Sequence, residues 1–324
     1  MTLETPLVSV VLAVFDGEAH LDEAVGSILA QTYPNLELII ADDGSSDATP
    51  RLADGWARRD RRVRALHLEH RGQAAAINTA VAVAQGGLVA RMDHDDVAHP
   101  GRIAAQVAWM RRHSLDVCGS WARRFGDRDG QLRPAVEPAA IALELMFACP
   151  ILDPTALIRT EVLRRTPYPQ DAPLLDHALW NRLAPDHRLG NLPRLMLAYR
   201  AHPGQLTATD ARRIKAYQRM LRLQRFAVLF PAAPSADKAL FHRIVVAHDA
   251  PLDEDELAAA GSLFVRYLAG PHPEARARMV RRWRRLCRFG VQRGARKWAV
   301  ELAVAAQLRT AEPSEVRGRL SGAG

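Results

Sequence analysis

A chain of 324 residues with 48% hydrophobic and 25% charged residues has the composition of a folded globular protein, long enough for one large α/β domain or two ordinary ones. Disorder and fibrous classes are excluded. The net charge of +8 would suit a nucleic-acid binder, but thirteen Lys/Arg against four Asp/Glu lie after residue 270, leaving 31 against 32 before it. The basicity belongs to the tail, and without aromatic interleaving or a recognisable binding module no nucleic-acid partner is expected.

Taken in chain order, the first half alternates short apolar runs with longer amphipathic ones, the pattern of βα units around a mostly parallel sheet. Met1 to Val14 lacks the basic start and extended apolar core of an export signal, and Val8 to Val14 reads as a strand. A helix is predicted near Ala19 to Ala30, with Leu21, Val25, Ile28 and Leu29 on one face. Leu36 to Ala41 is a second strand, and Asp47 is the expected N-cap of a helix near Thr49 to Arg58. Val63 to Leu68, Ala74 to Ala84 and Leu88 to Met92 continue as strand, helix, strand. A helix from Pro100 to His113, a strand near Val117 to Arg123 and a long loop from Gly126 to Pro138 follow. Less regular signals give a strand near Ala156 to Ile158, a helix near Leu174 to Leu183 and a strand near Leu192 to Tyr199.

Beyond Asp210 the pattern is helical, with Ile214, Tyr217, Leu221, Gln224 and Val228 on the expected inner face of the first segment. The expected division is therefore 1–208 as an α/β domain and 209–324 as a helical, basic region. No stretch is apolar for about 18 residues, and Cys118, Cys149 and Cys287 are too scattered for a disulfide framework or a zinc site. A cytoplasmic protein with reduced thiols is expected.

The strongest chemical signal is Asp93-His94-Asp95-Asp96 at a strand end. Carboxylates two apart in a tight loop can aim oxygens at one hard divalent cation, which typically also takes substrate phosphates. A second acidic pair, Asp42-Asp43 before Gly44, ends the second strand. In open α/β sheets ligands bind beyond such strand ends, so one shared site is expected.

Five ordered motifs carry a resemblance. Ser9 to Phe15 with Leu21 and Ser27 to Pro34, Leu38 to Thr49, Arg71-Gly72 through Asn78 to Gly87, the acidic quartet, and Leu174 to Leu183 occur in the order and spacing of the family 2 glycosyltransferases. Tyr199-Arg200-Ala201-His202 resembles that family's late strand end. The resemblance runs from Val8 to about Thr207. It implies a GT-A type α/β domain that moves one sugar, with inversion, from a nucleotide diphosphate sugar to a hydroxyl of a glycan or lipid-linked acceptor. A UDP-sugar is the expected donor and Mn²⁺ or Mg²⁺ the expected cofactor.

Carried over by position, the resemblance puts Ala13, Phe15, Asp42, Asp43, Asn78, Asp93, Asp95 and Arg200 at the nucleotide sugar. It puts Asp95, Asp96 and His202 on the metal, and makes Asp176 the general base. The chemistry is consistent. A carboxylate accepts a pyrimidine imide N–H, Gly44 permits close backbone approach, and Arg200 can fork onto a phosphate. Two positions depart from the family pattern: Leu175 replaces the usual glutamate before Asp176, and Asp153-Pro154-Thr155 replaces His-Pro-Ser ahead of Arg159. A sugar nucleotidyltransferase is the first rival, disfavoured because Phe15-Asp16-Gly17-Glu18 is not a Gly-rich, Lys/Arg-bearing phosphate loop. The second is a catalytically silent nucleotide-sugar-binding protein.

In the tail, Met279, Trp283, Leu286 and Gly290 fall on one helical face, ringed by Arg281, Arg282, Arg284, Arg285 and Arg288. Two readings stand side by side. Such a helix can lie peripherally on an anionic membrane at its inner face with Trp283 at the interface, or it can pack as an ordinary solvated helix on the protein.

Overall fold

The computed structural model describes residues 5–202, 211–246, 252–268, 273–289 and 304. They fall into two compact units. The first comprises 1–134, 151–183 and 187–211, and the second 135–150, 184–186 and 212–324. The expected division after residue 208 lies outside the described residues, and the second unit also draws in a segment from the middle of the sequence.

The first unit is built on a nine-stranded sheet. Its parallel half contains β1 (Val8–Val14), β2 (Leu36–Asp42), β3 (Val63–His67) and β4 (Leu88–Asp93), in spatial order β3-β2-β1-β4. All seven residues of β1 and of β2 are buried, which is why they read as unbroken apolar runs rather than alternating ones. The sheet continues through β8 (Leu157–Arg159), antiparallel to β4, then β6 (Val117–Gly126), β9 (Leu189–Ala201) and the two-residue β5 (Val97–Ala98). β7 (Gly130–Leu132) folds back on β6, so the expected loop from Gly126 to Pro138 contains a short hairpin strand.

The helices α1 (Leu21–Leu29), α2 (Thr49–Arg59), α3 (Gln73–Val83) and α4 (Arg102–His113) follow β1, β2, β3 and β5. α6 (Thr160–Arg165) and α7 (Leu175–Leu183) complete the unit. α2 begins at Thr49 as expected, but its cap lies one residue later than predicted. Ala48 is the N-cap, while Asp47 still serves the end by accepting the Thr49 N–H at 2.9 Å.

The second unit packs α5 (Pro138–Glu144), α8 (Ala211–Leu229), α9 (Ser235–Val246), α10 (Glu254–Leu268) and α11 (Pro273–Phe289). Its core is aromatic, with Phe226 stacked on Phe241 at 4.3 Å and Phe264 against Trp283 at 5.3 Å. α5 is fixed from far along the chain: the Glu274 carboxylate of α11 accepts the N–H groups of Val136 and Glu137 at 2.9–3.1 Å. A carboxylate there meets donors that a helix start leaves unsatisfied.

Two expectations for this unit are corrected. On α8 the buried residues include Leu221, Arg225 and Phe226, whereas Gln224 is exposed and Val228 is 50% exposed. The predicted stripe is rotated: the inward face sets Phe226 against Phe241 and Tyr267 and Arg225 on the Ala142 carbonyl. On α11 the apolar face is not free for a bilayer, since Met279 and Trp283 are fully buried inside the unit. Trp283 fills a notch over Gly261, where an added Cβ would meet the indole at 3.4 Å. Gly290 lies outside the described residues. No helix among the described residues is long and apolar enough to cross a membrane.

Candidate active site

The register of the parallel strands assembles the site. Val14 pairs with Asp42, Asp42 with His67, and Ala13 with both Ala41 and Asp93. Both acidic clusters and the exit of β1 therefore share one edge of the sheet, beside the switch between β2-β1 and β1-β4. The loops after β1 and β2 are joined reciprocally. Asp16 donates its N–H to Ser45 Oγ and accepts that of Ser46, while Glu18 donates to Asp47 and accepts from Ala48.

The first acidic pair is almost consumed by its own surroundings. Asp43, 2% exposed, accepts the backbone N–H groups of Arg71 and Gly72 at 3.0 and 2.9 Å, which pins the β3–α3 loop. Asp42 accepts the Ser45 N–H at 3.0 Å and faces His67 at 3.3 Å. His67 also meets Asp54 at 2.9 Å, and its pKa is raised mainly by that bond, with Asp42 adding to it against burial. Gly44 has φ +76°, and a Cβ there would meet the His70 backbone nitrogen at 2.9 Å, so this tight turn requires glycine. Phe15, 44% exposed, lies against the His70 ring at 4.2 Å. The two rings form an open shelf above Asp43. Asn78 stands apart: its amide bonds both the N–H and C=O of Tyr168 at 2.9 Å, ninety residues away.

The second acidic cluster is different in kind. One oxygen each from Asp93, Asp95 and Asp96 lies within 4.8 Å of the others. Asp96 is 1% exposed; its Oδ1 accepts the Arg200 N–H at 2.8 Å and its Oδ2 is buried with no partner. Burial and the neighbouring Asp93 and Asp95 push the Asp96 carboxyl up to about 9. Asp93 is pushed up to about 7, chiefly by burial and by Asp153, Asp95 and Asp176, against the lowering influence of Arg91. Three converging carboxylates with an orphaned buried oxygen form an all-oxygen donor set that fits a hard divalent cation. His202 hydrogen-bonds Asp95 Oδ2 at 2.9 Å and so stands beside this set.

Arg200 ties the cluster to its surroundings. Its Nε donates to the Asp95 carbonyl at 2.8 Å, its Nη2 pairs with Glu23 of α1, and its guanidinium lies 4.5 Å over Phe125. Asp176 sits half-buried in the first turn of α7, where its Oδ1 accepts the His177 N–H at 2.7 Å. Burial chiefly raises the pKa of Asp93, Tyr168 and Tyr199, and the charge of nearby Asp176 adds to each.

A buried network behind the cluster was not singled out from sequence. Arg91 is fully buried and donates to the Val11 carbonyl at 2.8 Å, to Asp93 Oδ1 at 3.1 Å and to Asp153 Oδ2 at 3.1 Å. Tyr168 Oη donates to Asp153 Oδ1 at 2.6 Å, and Asn78 fixes the Tyr168 backbone. The departure from His at position 153 thus has a structural consequence: Asp153 turns inward as counter-charge to Arg91. Thr155 is buried on Ser120, and Arg159 pairs at the surface with Asp116. The one signal for this network was an arginine inside an otherwise apolar strand.

A family model described as "Glycosyl transferase family 2" matches residues 9–164. The O-antigen biosynthesis glycosyltransferase WbnJ of Escherichia coli is 30% identical over 203 residues, covering 60% of this chain and 80% of that protein. An uncharacterized glycosyltransferase of Haemophilus influenzae is 28% identical over 220 residues, 63% and 68% of the two chains. The putative glycosyltransferase EpsE of Bacillus subtilis is 36% identical over 144 residues, 42% and 52%. The chain thus spans between 52% and 80% of these relatives' lengths.

Among solved structures, S. aureus TarS 1–349 in complex with UDP-GlcNAc superposes with a TM-score of 0.60 at 14% identity, covering 93% of this chain and 90% of that one. A mannosyltransferase from Pyrobaculum calidifontis in complex with GDP-Man and Mn²⁺ superposes with 0.52 at 20%, covering 94% and 86%. These likenesses bear out the expected GT-A type fold.

Proposed function

The chain belongs to glycosyltransferase family 2, and from that premise we propose that it transfers one sugar, with inversion, from a UDP-sugar to a hydroxyl of a glycan or lipid-linked acceptor. The observation that carries this reading is the convergence of Asp93, Asp95 and Asp96 at the strand edge, with one Asp96 oxygen buried and unpartnered. Asp95 and Asp96, with His202 beside them, are the residues that would hold Mn²⁺ or Mg²⁺. When bound, such an ion neutralises charge on the leaving diphosphate.

The chain's own groups supply the rest. The Phe15 and His70 rings offer a stacking face for the base, beside the Asp42-Asp43 turn, whose carboxylates hold the loops that frame it. Arg200, held against the Asp95 carbonyl, keeps a cation beside the phosphates. Asp176 takes the acceptor's proton as its oxygen attacks the anomeric carbon from the face opposite the diphosphate. The relatives' printed names support the class: WbnJ acts in O-antigen biosynthesis, and the two structural neighbours carry UDP-GlcNAc and GDP-Man. The exposed Arg281, Arg284 and Arg285 on α11 support peripheral contact with an anionic membrane through charge alone, since Trp283 is committed to the core.

Calorimetry with UDP and Mn²⁺ tests the reading. Asp95→Ala is expected to abolish metal-dependent UDP binding, because the diphosphate charge is then left uncompensated. Retained affinity and retained metal dependence would reduce the acidic quartet to a solvated turn.

A further inference from the structure

The helical unit holds a cluster of charge that sugar transfer does not use. Arg219, Arg222 and Arg225 recur every third residue on α8 and so share one side of the helix. The row runs inward: Arg219 and Arg222 are half-buried, and Arg225 is 3% exposed. Arg225 donates Nε to the Ala142 carbonyl of α5 at 3.2 Å, while its Nη1 is buried with no partner. The Nε of Arg222 is also buried with no partner. Arg282 and Arg219 both repel Arg222, and Arg282 is already paired with Glu144 at 2.7 Å.

Burial lowers both Arg222 and Arg225 to about 10, which still leaves two cations at neutral pH. A buried cation with unmet donors is costly, and buried donors in folded proteins ordinarily have a partner.

We propose that Arg222 and Arg225 bind a phosphate group in the helical unit, separate from the donor site. Two guanidinium forks one helical turn apart suit a tetrahedral anion that accepts from several directions, whereas a planar carboxylate engages one fork. The phosphate can belong to a lipid headgroup or to a free phosphate or diphosphate. The inference is independent of the glycosyl-transfer reading.

Inorganic phosphate and pyrophosphate are titrated into the full-length protein in EDTA, which keeps the acidic quartet from holding them through a metal. Millimolar phosphate is expected to raise the melting temperature of the wild type by a few degrees and to leave Arg222→Gln unmoved. Arg225→Met is expected to melt higher than wild type without phosphate and to lose the response. Should Arg225→Met not fold, the half-exposed Arg222→Gln carries the test. Sedimentation with phosphatidic acid vesicles, against phosphatidylcholine vesicles, separates the sources. Binding lost in Arg222→Gln assigns the site to a lipid phosphate, and a response to free phosphate alone assigns it to a soluble one. UDP and Mn²⁺ binding is expected to be equal in Arg222→Gln and wild type. A phosphate response in Arg222→Gln equal to that of wild type, or no wild-type response in either arm, overturns the proposal.

Discussion

The two acidic clusters of the first unit look alike in sequence, each a short aspartate run closing a strand, yet the fold treats them oppositely. At Asp42-Asp43 the carboxylates are engaged by backbone N–H groups and by His67, so their charge holds loops in place. At Asp93, Asp95 and Asp96 like charges crowd together, an oxygen is left unpartnered, and burial drives two of the carboxyls up. A carboxylate satisfied by its own protein contributes to stability, whereas one left unsatisfied costs stability until a ligand arrives. The difference separates scaffold from binding surface without reference to any relative.

Substitutions can break that contrast. On the proposed reading Asp176, whose charge reaches the unsatisfied cluster, goes with the binding group. Asp176→Asn is expected to lower transfer by about 10²–10⁴ with little change in melting temperature, since general-base assistance is worth roughly that factor. Transfer within a few-fold of wild type would move Asp176 to the structural group.

Arg91→Met tests the support behind Asp93. Removing the cation leaves Asp93 and Asp153 without their buried partner, for a loss of about 3–5 kcal/mol in urea unfolding. A loss under about 1 kcal/mol would mean that water replaces the guanidinium.

Asp43→Ala should cost about 1–3 kcal/mol, because two backbone N–H groups lose their acceptor. Asp96→Asn should cost no stability in EDTA while losing UDP and Mn²⁺ binding. Equal melting temperatures for the two variants would erase the distinction drawn above.

The smallest effect concerns His67. Its raised pKa means that the folded state holds the proton more tightly than the unfolded chain, so its contribution is complete below pH 6.5 and is lost as pH rises through the folded pKa. The melting-temperature gap between wild type and His67→Ala should therefore narrow on going from pH 6 to pH 8. A gap that is constant across that range would show that the His67 contacts do not depend on charge.

What sequence made legible follows the range of the signal. β1, β2 and β4 and the acidic quartet were visible because continuous apolar runs and close spacing are local. Arg91 and Asp153, 62 residues apart, were not visible, because nothing in either segment marks the other. Asn78 illustrates the same limit. Nothing near it in sequence signals that its amide bridges to Tyr168 across ninety residues. α5 starts at the last residue of the expected loop and no element was predicted over it, because it follows a Pro/Gly/Asp-rich stretch and its cap, Glu274, comes from the far end of the chain. The amphipathic pattern of α11 was read correctly, but a pattern does not say whether an apolar stripe faces lipid or protein.

That distant cap has a consequence for the order in which the protein is made. Val136 leaves the ribosome 138 residues before Glu274, an interval of about 7 to 28 s at ordinary rates of synthesis. Throughout it, the segment that carries Ile141, Leu143, Leu145 and Met146, all buried in the finished unit, waits for α11 to complete its packing. Nascent or C-terminally shortened chains would carry this apolar segment without its cap in mid-sequence, and it is there that chaperones and proteases should first distinguish an unfinished molecule from a mature one.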